Sequence, residues 1–494
     1  MVRKSKYILS AVLMLLLLSG TVSAAAPYHS YTYSYWGEPV PAPYSYLPSE
    51  VIDGRSLGIE SFRSPEDMFV SSSGKVYILD SGNNRIVVLD SEFKLTNIID
   101  SFNDGDSFLN PGGIFVTEAE NIYVADTGNN RIIELDGNGD YIRELGAPES
   151  DIIPDSFVYY PNKLVVDRAG RIYVIAQNVN QGIMELSNTG EFQAYIGATL
   201  ARFNVTDLIW RQFSTDEQRQ RLKLFLPTEY NNIALDDRGF MYTTTSALNV
   251  YDIIGAVNQR SRWDYCAPVR KINPSGTGIM RRMGSFPPVG DVKINLKGSI
   301  DGHSTFTDVA YGGDGIYSVL DSKRGRVFTY DYDGNLMHIF GGIGNSEGTF
   351  RTPVALDYLD QRILVLDNGL NRITVFDITE YGSMLTEAIS LHYRGLYDES
   401  LQVWQELIKY NVNLDIVHVG LGKAYMDQDE FRLAMKHFKL GHEREYYSKA
   451  FKLYREQVID RYFGLFVLLV LLVIFLLMKA KRYIINSQRA EVNR

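Results

Sequence analysis

The chain has 494 residues, of which 45% are apolar, and it carries a formal net charge of −10 at pH 7. This length and apolar content suffice for two or three globular units. An excess of acidic residues disfavours contact with phosphate backbones, so we expect no nucleic-acid partner. A lone cysteine, Cys266, excludes a disulfide within the chain.

The first 24 residues have the pattern of a secretory signal peptide. Three basic residues between positions 3 and 6 precede an uncharged apolar run from 7 to 18, and small residues follow it. This run is short for a membrane span, so we expect cleavage after Ala24 or Ala26. The alternative is an uncleaved signal anchor, which leaves the rest of the chain on the same side of the membrane.

A second apolar run lies near the C-terminus. Residues 462–478 are uncharged and meet the lower length limit for one membrane-spanning helix, and the tail at 479–494 has a net charge of +4. Because positive residues stay cytoplasmic, we predict a single-pass cell-membrane protein with its N-terminus outside after cleavage and a short cytoplasmic tail. A buried C-terminal helix of a soluble protein is the alternative.

The exported part of the chain is acidic, and its lack of disulfides favours a bacterial source. The signal carries three positive charges and the tail a net four, so residues 25–461 carry −17. An exported chain of this length without disulfides fits a bacterial surface better than a eukaryotic secreted protein.

A repeated motif organises the region between the two apolar runs. Residues 76–90 read VYILDSGNNRIVVLD, residues 122–136 read IYVADTGNNRIIELD, and residues 363–377 read ILVLDNGLNRITVFD. The turn arginine recurs after 46 residues, from Arg85 to Arg131 and from Arg326 to Arg372. A fixed period of this size indicates repeated supersecondary units, and β-branched runs joined by Gly/Asn turns indicate hairpins.

Weaker copies bring the number of units to six, beginning near Pro65, Pro111, Pro161, Pro227, Asp308 and Pro353. Each combines an apolar strand after proline, a Gly-(Lys/Arg)-(Val/Ile)-Tyr strand and an Asp-x-x-Asn-x-Arg-Ile turn, although units three and four match poorly. This pattern resembles the NHL-repeat family of β-propellers over residues 62–381. The resemblance implies a ring of four-stranded blades around a channel. It leaves the function open, because NHL propellers serve as ligand-binding scaffolds, protein platforms and enzymes.

The repeated turn residues are predicted to be structural. A catalytic group occurs once in a chain, whereas a set that recurs in each unit most simply ties strand ends together. The set comprises Asp80, Asn84, Arg85, Asp126, Asn130, Arg131, Asp321, Arg326, Asp367, Asn371 and Arg372.

Segments outside the repeats are candidate partner-binding surfaces. In the Tyr/Pro-rich residues 25–50, Tyr31, Tyr33 and Tyr35 alternate, so an extended backbone would place them on one face beside Trp36. We interpret this segment either as an aromatic surface for a sugar or peptide, or as a strap packed on the propeller that helps to close the ring.

Two insertions, at about 198–226 and 249–304, interrupt the period. Insertions in repeat arrays usually form loops on one face, and loops often carry function. The alternative is a solvated decoration. The candidate partner-binding residues in the insertions are Trp210, Arg262, Trp263, Arg281 and Arg282.

Beyond the propeller at 51–382, the apolar pattern becomes helical. Ser400 and Ala434 are 34 residues apart, which is the tetratricopeptide (TPR) period, with small residues where paired helices touch. Residues 387–459 therefore resemble two TPR motifs followed by a partial third helix. The resemblance implies protein binding, with a rigid stalk as the alternative.

Enzyme function has limited support in the sequence. Amidating lyases, an NHL-type subfamily, hold zinc with several histidines, but this propeller has only His303 and His338. Lactonase-type propellers hold calcium with carboxylates and amides near the channel. Weak candidates for such a site are Asp67, Asp167, Asp236, Asp308 and Asp357. The sequence contains no nucleophile elbow, Walker loop or paired CxxC motif.

We therefore predict an all-β six-bladed propeller, followed by an α-helical TPR segment and one transmembrane helix. The predicted function is a membrane-anchored extracytoplasmic binding or scaffolding protein for protein or glycan partners, accessory to a transporter or envelope complex. No catalytic or cofactor-binding residues are assigned, and calcium is the only cofactor considered. The alternative is a calcium-dependent lactonase-like or hydrolase-like propeller.

Overall fold

A computed structural model gives the architecture of the chain. It describes residues 26–153, 157–179, 181–197, 230–246, 248, 250–258, 267–282, 287–292, 302–410 and 414–492. The predicted signal peptide and the candidates Trp210, Arg262 and Trp263 lie outside the described residues.

Six antiparallel sheets follow one another along the chain, and we number the strands in chain order. Three strands precede the first repeat, Tyr31–Tyr33 (β1), Pro39–Pro41 (β2) and Tyr46–Ile52 (β3). Blade 1 contains Asp67–Val70 (β4), Val76–Asp80 (β5), Arg85–Leu89 (β6) and Leu95–Ile99 (β7). Blade 2 contains Gly113–Val116 (β8), Ile122–Asp126 (β9), Arg131–Leu135 (β10) and Tyr141–Leu145 (β11). Blade 3 contains Pro161–Val166 (β12), Ile172–Ala176 (β13), Ile183–Leu186 (β14) and Phe192–Ile196 (β15).

The second half of the propeller continues this order. Blade 4 contains Asn232–Leu235 (β16), Met241–Thr244 (β17) and Val269–Ile272 (β18). Blade 5 contains Phe306–Gly313 (β19), Ile316–Asp321 (β20), Arg326–Tyr330 (β21) and Leu336–Phe340 (β22). Blade 6 contains Pro353–Leu359 (β23), Arg362–Asp367 (β24) and Arg372–Ile378 (β25), and β3 is its fourth strand. The predicted six-bladed propeller is therefore confirmed.

Blade 4 differs from the expected four-stranded form. Among its described residues it has three strands, and after β18 only a single bridge joins Ile272 to Gly278. This return segment contains Pro274 and Gly276, residue types that disfavour a regular strand.

Side chains that alternate along an apolar strand are buried on opposite faces of the blade, so each blade packs against both of its neighbours. In β5, Val76 and Ile78 pack against blade 6, whereas Tyr77 and Leu79 pack against blade 2. Successive side chains of a strand point to opposite faces, so an uninterrupted apolar run fits a sheet that is covered on both sides. Each pair of neighbouring blades shares one such apolar cluster, which holds the blades in a ring.

The N-terminal strand closes this ring. Strand β3 pairs antiparallel with β25, with Ile52 opposite Ile373 and Tyr46 opposite Ile378. Residues 46–50, which the sequence analysis assigned to the Tyr/Pro-rich segment, therefore belong to the propeller. The first and last strands of the propeller hold each other in place within one sheet.

The chain becomes helical directly after β25. Helix α1 (Val250–Asn258) lies in the second insertion, and five helices follow the propeller, Glu380–Tyr393 (α2), Tyr397–Leu407 (α3), Asp415–Asp427 (α4), Phe431–Leu440 (α5) and Arg444–Val492 (α6). Residues 380–440 are called the helical unit below. It begins at Glu380, earlier than the predicted residue 387, because the Thr379 side chain caps α2 by accepting a hydrogen bond from Gly382 N.

Small residues allow close contacts between the helices. Ser400 and Ala434 are fully buried, and the Ser400 hydroxyl donates to the Ala388 carbonyl at 2.8 Å. A Cβ at Gly420 would lie 2.2 Å from the Trp404 ring, so only glycine fits this crossing. The described helices thus form two antiparallel pairs, α2/α3 and α4/α5; their assignment as TPR motifs stays a prediction.

The last helix is long and apolar enough to cross a membrane, by length and composition. The candidate span lies within Arg444–Arg482, with a mean hydropathy of 2.9 over its most apolar window. The predicted span at 462–478 is part of this helix. One candidate membrane-spanning helix after the helical segment is therefore confirmed, and it is compatible with membrane anchoring.

Closure by β3 generates a stability prediction. Ile52 is 2% exposed in the core between blades 6 and 1, whereas Leu47 on the same strand is 37% exposed. Ile52→Ala should lower the free energy of unfolding by about 2–4 kcal/mol, and Leu47→Ala by less than about 1 kcal/mol. Urea unfolding followed by tryptophan fluorescence measures both, and equal effects would contradict closure through β3.

Candidate functional site

The two faces of the propeller carry different features. The motif face carries the repeated turns at 81–84, 127–130 and 368–371, and the helix face carries the opposite turns, such as 71–75, 117–121 and 331–335. Strand β25 ends at the helix face, so the helical unit begins there.

The repeated turn residues on the motif face tie blades to their linkers. Asp80 accepts hydrogen bonds from the backbone of Arg63 (2.7 Å) and from Arg85 Nε (2.8 Å). Asn84 adopts the left-handed conformation at φ 53°, and its side chain accepts from Asn110 N at 2.8 Å. The aspartate thus holds the linker before blade 1, while the asparagine holds the linker after it.

Other copies repeat these bonds. Asp126 accepts from Leu109 N (2.7 Å) and from Arg131 Nε (3.0 Å), and Asn130 is again left-handed at φ 59°. In blade 6, Asp367 accepts from Arg351 N at 2.6 Å. Asn371 accepts from Ser64 N at 3.1 Å, which joins the last blade to the linker of the first.

Two of the predicted arginines make other contacts. Arg372 donates to the Ser346 carbonyl at 2.9 Å. Arg326 contacts Asp291 and donates to the Tyr31 hydroxyl at 2.6 Å, so it does not bond to Asp321. Arg324 takes the place beside Asp321, with 3.7 Å between Nη1 and Oδ2.

The N-terminal aromatic residues mostly contact the chain itself. The hydroxyls of Tyr31 and Tyr33 both donate to Asp291, at 2.7 Å for Tyr31. The Tyr35 ring stacks on His442, with 5.1 Å between ring centres. Trp36 is 83% exposed. The segment is thus packed against the second insertion and the end of the helical unit, and Trp36 is the aromatic residue that it presents to solvent.

The channel aspartates join neighbouring inner strands. Asp67 Oδ2 accepts from Ile114 N (2.9 Å), and Asp357 Oδ2 accepts from Val70 N (2.7 Å). Asp308 Oδ2 accepts from Leu356 N at 2.6 Å. Each carboxylate therefore satisfies a backbone donor of the next blade.

Lys163 crosses the channel. It extends from β12 in blade 3 to blade 1, where its Nζ lies 2.9 Å from Asp67 Oδ1 and donates to the Glu66 carbonyl at 3.1 Å. Between this pair and the helix-face turns lies a cavity of about 1000 Å³, lined by residues of all six blades. Lys163 and Asp67 form its floor, and the cavity opens on the helix face.

Burial shifts the ionisation of two channel carboxyls. It raises the pKa of Asp357 to about 7, and it raises the pKa of Asp308 well above its usual range, with the charge of Asp67 adding to the effect. Asp308 is buried and Asp357 is half-buried at the base of the channel, where reduced hydration disfavours a negative charge.

The remaining calcium candidates lie at the helix-face rim. Asp167 is paired with Arg171 at 2.7 Å, and Asp236 is paired with Lys271 at 2.7 Å. Within the described part of the chain, no group of three or more His, Cys, Asp or Glu side chains is placed to hold a metal ion.

A buried ionic cluster attaches the helical unit to the helix face. Lys423 Nζ of α4 lies 2.8 Å from Asp333 Oδ2 in the β21–β22 turn. Tyr446, in the first turn of α6, donates to Asp333 Oδ2 at 2.8 Å, and Arg281 Nη1 donates to Oδ1 at 3.1 Å. Asp333 thus joins blade 5, the second insertion, the helical unit and the candidate membrane-spanning helix α6.

The contacts of Asp333 keep its carboxylate ionised despite burial. Burial by itself would raise the pKa of Asp333, but the charge of Lys423 and hydrogen bonds from Lys423, Tyr446 and Arg281 lower it below the ordinary value. Burial raises the pKa of the neighbouring Asp331.

The other arginine predicted in the second insertion, Arg282, contacts helix α1. Its Nη2 donates a hydrogen bond to the Val257 carbonyl at 2.6 Å.

Sequence analysis missed Lys163, Lys423 and Asp333. The sequence context of the two lysines could have revealed them, because each is a charged residue next to apolar or small residues. Lys163 directly precedes the apolar run that starts at Leu164, and Lys423 lies among the small residues of helix α4. A lysine at a buried position needs a carboxylate partner. Its partner lies far away in the sequence, so only the fold identifies it.

Comparison with protein families supports the repeat assignment. Residues 62–89 match the NHL repeat. This segment comprises the linker into blade 1 and its strands β4 to β6. The predicted NHL repeat is thereby confirmed, within a six-bladed ring.

No curated protein sequence matches the chain. Solved structures with a similar arrangement include a streptogramin B lyase, at 12% identity and a TM-score of 0.37 over 71% of this chain and 86% of that one. A catalytically inactive virginiamycin B lyase from Staphylococcus aureus with quinupristin has 15% identity and a TM-score of 0.39, over 67% and 87%. A protein of unknown function from Bacteroides thetaiotaomicron has 11% identity and a TM-score of 0.43, over 69% and 80%. With identities of 11–15% and TM-scores of 0.37–0.43, these structures give no information about the activity of this chain.

Breaking the ionic cluster should loosen the helical unit. Lys423→Met removes the buried cation beside Asp331 and leaves Asp333 with the exposed Arg281 as its remaining cation, which should cost about 3–5 kcal/mol. Lys409→Met removes an exposed pair with Glu406 and should cost less than about 1 kcal/mol. Limited proteolysis between residues 378 and 444 measures the difference, and equal resistance of the two variants would contradict the role of Lys423.

Asp357 should make stability depend on pH. Its folded pKa of about 7 exceeds the ordinary value of 3.8, so its stabilising contribution is complete below that value and is lost as pH rises through 7. The free energy of unfolding should therefore fall between pH 5 and pH 8, by at most about 1.4 kcal/mol per pH unit from this group. The melting temperature should fall over the same range. Asp357→Asn should flatten the profile. An unchanged slope would show that Asp357 does not titrate in this range.

Proposed function

We propose that the protein is a membrane-anchored binding protein that recognises a protein or glycan partner on the extracytoplasmic side through its helix face. The channel cavity, which opens on this face beside the docked helical unit, carries this proposal. Arg238 at the cavity rim lies over the Tyr393 ring of α2 at 5.3 Å, and Arg394 pairs with Asp314 at 2.6 Å. Propeller and helices therefore present one continuous surface.

Binding fits the channel better than catalysis does. The carboxylates of the cavity are bonded to backbone donors or to lysine and arginine. Carboxylates with such partners have a lower capacity to bind a cation. Among the residues that the structure describes, no specific feature favours the calcium-dependent lactonase-like alternative.

The proposed topology follows from charge and length. A basic tail of net charge +4 after the apolar helix favours a cytoplasmic C-terminus, and the N-terminal signal pattern favours export of the propeller. The helical unit, with its two helix pairs in the manner of TPR motifs, then lies between propeller and membrane. This placement suits a role accessory to a transporter or envelope complex.

Photo-crosslinking in cells tests which face binds. A benzophenone amino acid is placed at Ala119, exposed at the cavity rim of blade 2, or at Leu109, 43% exposed on the motif face of the same blade. We expect light-dependent adducts from position 119 and few from position 109. Adducts from position 109 alone, or from neither position, would overturn the proposal.

A further inference from the structure

A groove separates blades 4 and 5 from the helical unit on the helix face. Its volume is about 520 Å³, and it is lined by residues of β17, β18, β20, the β21–β22 turn, α2, α3 and α6. This volume lies within the usual range for small-ligand pockets. Arg238 lines both the groove and the channel cavity, so the two spaces meet at this residue.

The lining of the groove is unusually rich in tyrosine. Tyr242 and Tyr317 are buried, with 4.9 Å between their ring centres. Tyr332 and Tyr393 form a second pair at 5.3 Å, and Tyr397 at the rim is 39% exposed. The buried rings form the base of the groove, and Tyr397 presents an accessible aromatic ring at its rim.

All fully charged residues of the lining are cations. They are Arg238, Lys271 and Arg281, and no Asp or Glu is among the described lining residues. The carboxylates paired with two of them, Asp236 with Lys271 and Asp333 with Arg281, are buried behind the lining. For Arg238, the described residues include no carboxylate at ion-pair distance. The groove thus presents the guanidinium of Arg238 without a carboxylate partner among the described residues, whereas Lys271 and Arg281 are already ion-paired.

We propose that this groove binds an acidic oligosaccharide, with a carboxylate-bearing sugar ring stacked on the exposed rim tyrosine Tyr397 and a carboxylate bonded to Arg238. The C–H face of a pyranose ring complements an aromatic face, and the planar guanidinium of Arg238 matches a carboxylate in two parallel hydrogen bonds. A cationic ligand would be repelled. An uncharged ligand would leave the N–H donors without acceptors.

The groove walls disfavour a peptide strand as the ligand. Strand β17 is paired on both sides by β16 and β18, and β20 is paired on both sides by β19 and β21. An added peptide strand needs an open sheet edge, which these two strands lack. An oligosaccharide needs side-chain donors and ring faces instead, and it can extend past Arg238 into the channel cavity.

The inference rests on the proposed binding function and names the ligand class of the helix face. Its test uses the full chain in detergent and isothermal titration calorimetry with three probes, namely tetrameric galacturonate, tetrameric glucuronate and the methyl ester of the galacturonate. We expect at least one acid to bind. If the galacturonate binds, its uncharged methyl ester should bind at least about tenfold more weakly, because the ester cannot form charge-assisted hydrogen bonds.

Variants then locate the site. Arg238→Ala and Tyr397→Ala should each weaken binding of the acid about tenfold, whereas the control Arg351→Ala should leave it unchanged. Arg351 is exposed on the motif face and lines neither the groove nor the channel cavity. Circular dichroism checks that each variant is folded.

Three outcomes would overturn the groove proposal. They are no binding of either acid at millimolar concentration, equal affinity for acid and ester, or loss of binding in Arg351→Ala but not in Tyr397→Ala. The broader binding function fails separately, if crosslinking from position 119 yields no adduct. Adducts at that position without sugar binding would leave the binding function intact and reject the acidic sugar.

Discussion

The buried ion pair between Lys423 and Asp333 is the contact on which the relation between propeller and membrane helix depends. A charge that leaves water is stable only with a partner and further hydrogen bonds, and Asp333 receives them from three separate parts of the chain. Because Tyr446 in the first turn of α6 is one of these donors, the candidate membrane-spanning helix starts at blade 5. The helical unit is consequently docked on the propeller.

The ring itself depends on a different constraint, the uninterrupted apolar strands that bury both faces of each blade. Closing a ring requires that the last blade meet the first, and here the strand at 46–52 completes blade 6. Asn371 adds a bond from blade 6 to the linker of blade 1. The helix face carries the channel cavity and the groove, and Arg281 of the second insertion reaches this face at Asp333.

The repeat period, the apolar runs and the recurrent Asp–Asn–Arg turn were sufficient to predict the propeller, because each is a local pattern that repeats. The boundary of the helical unit was placed too late since the cap at Thr379 was not recognised. The candidate site was harder to predict. Lys163 and Asp67 lie far apart in the sequence, as do Lys423 and Asp333, and a single sequence does not show which buried charges meet. Arg326 illustrates the limit, because its local motif predicts Asp321 as partner, whereas the fold supplies Asp291.

The most direct test of the rigid attachment is a distance measurement by double electron–electron resonance in the full chain. Replacing Cys266 by serine removes the native thiol, and spin labels are attached at Glu92 in blade 1 and Lys436 in α5, both exposed. If Lys423 and Asp333 hold the helical unit on blade 5, the distance distribution is narrow and has a single maximum. A broad distribution or several maxima would show that the helical unit moves relative to the propeller, and would contradict a single binding face formed by both.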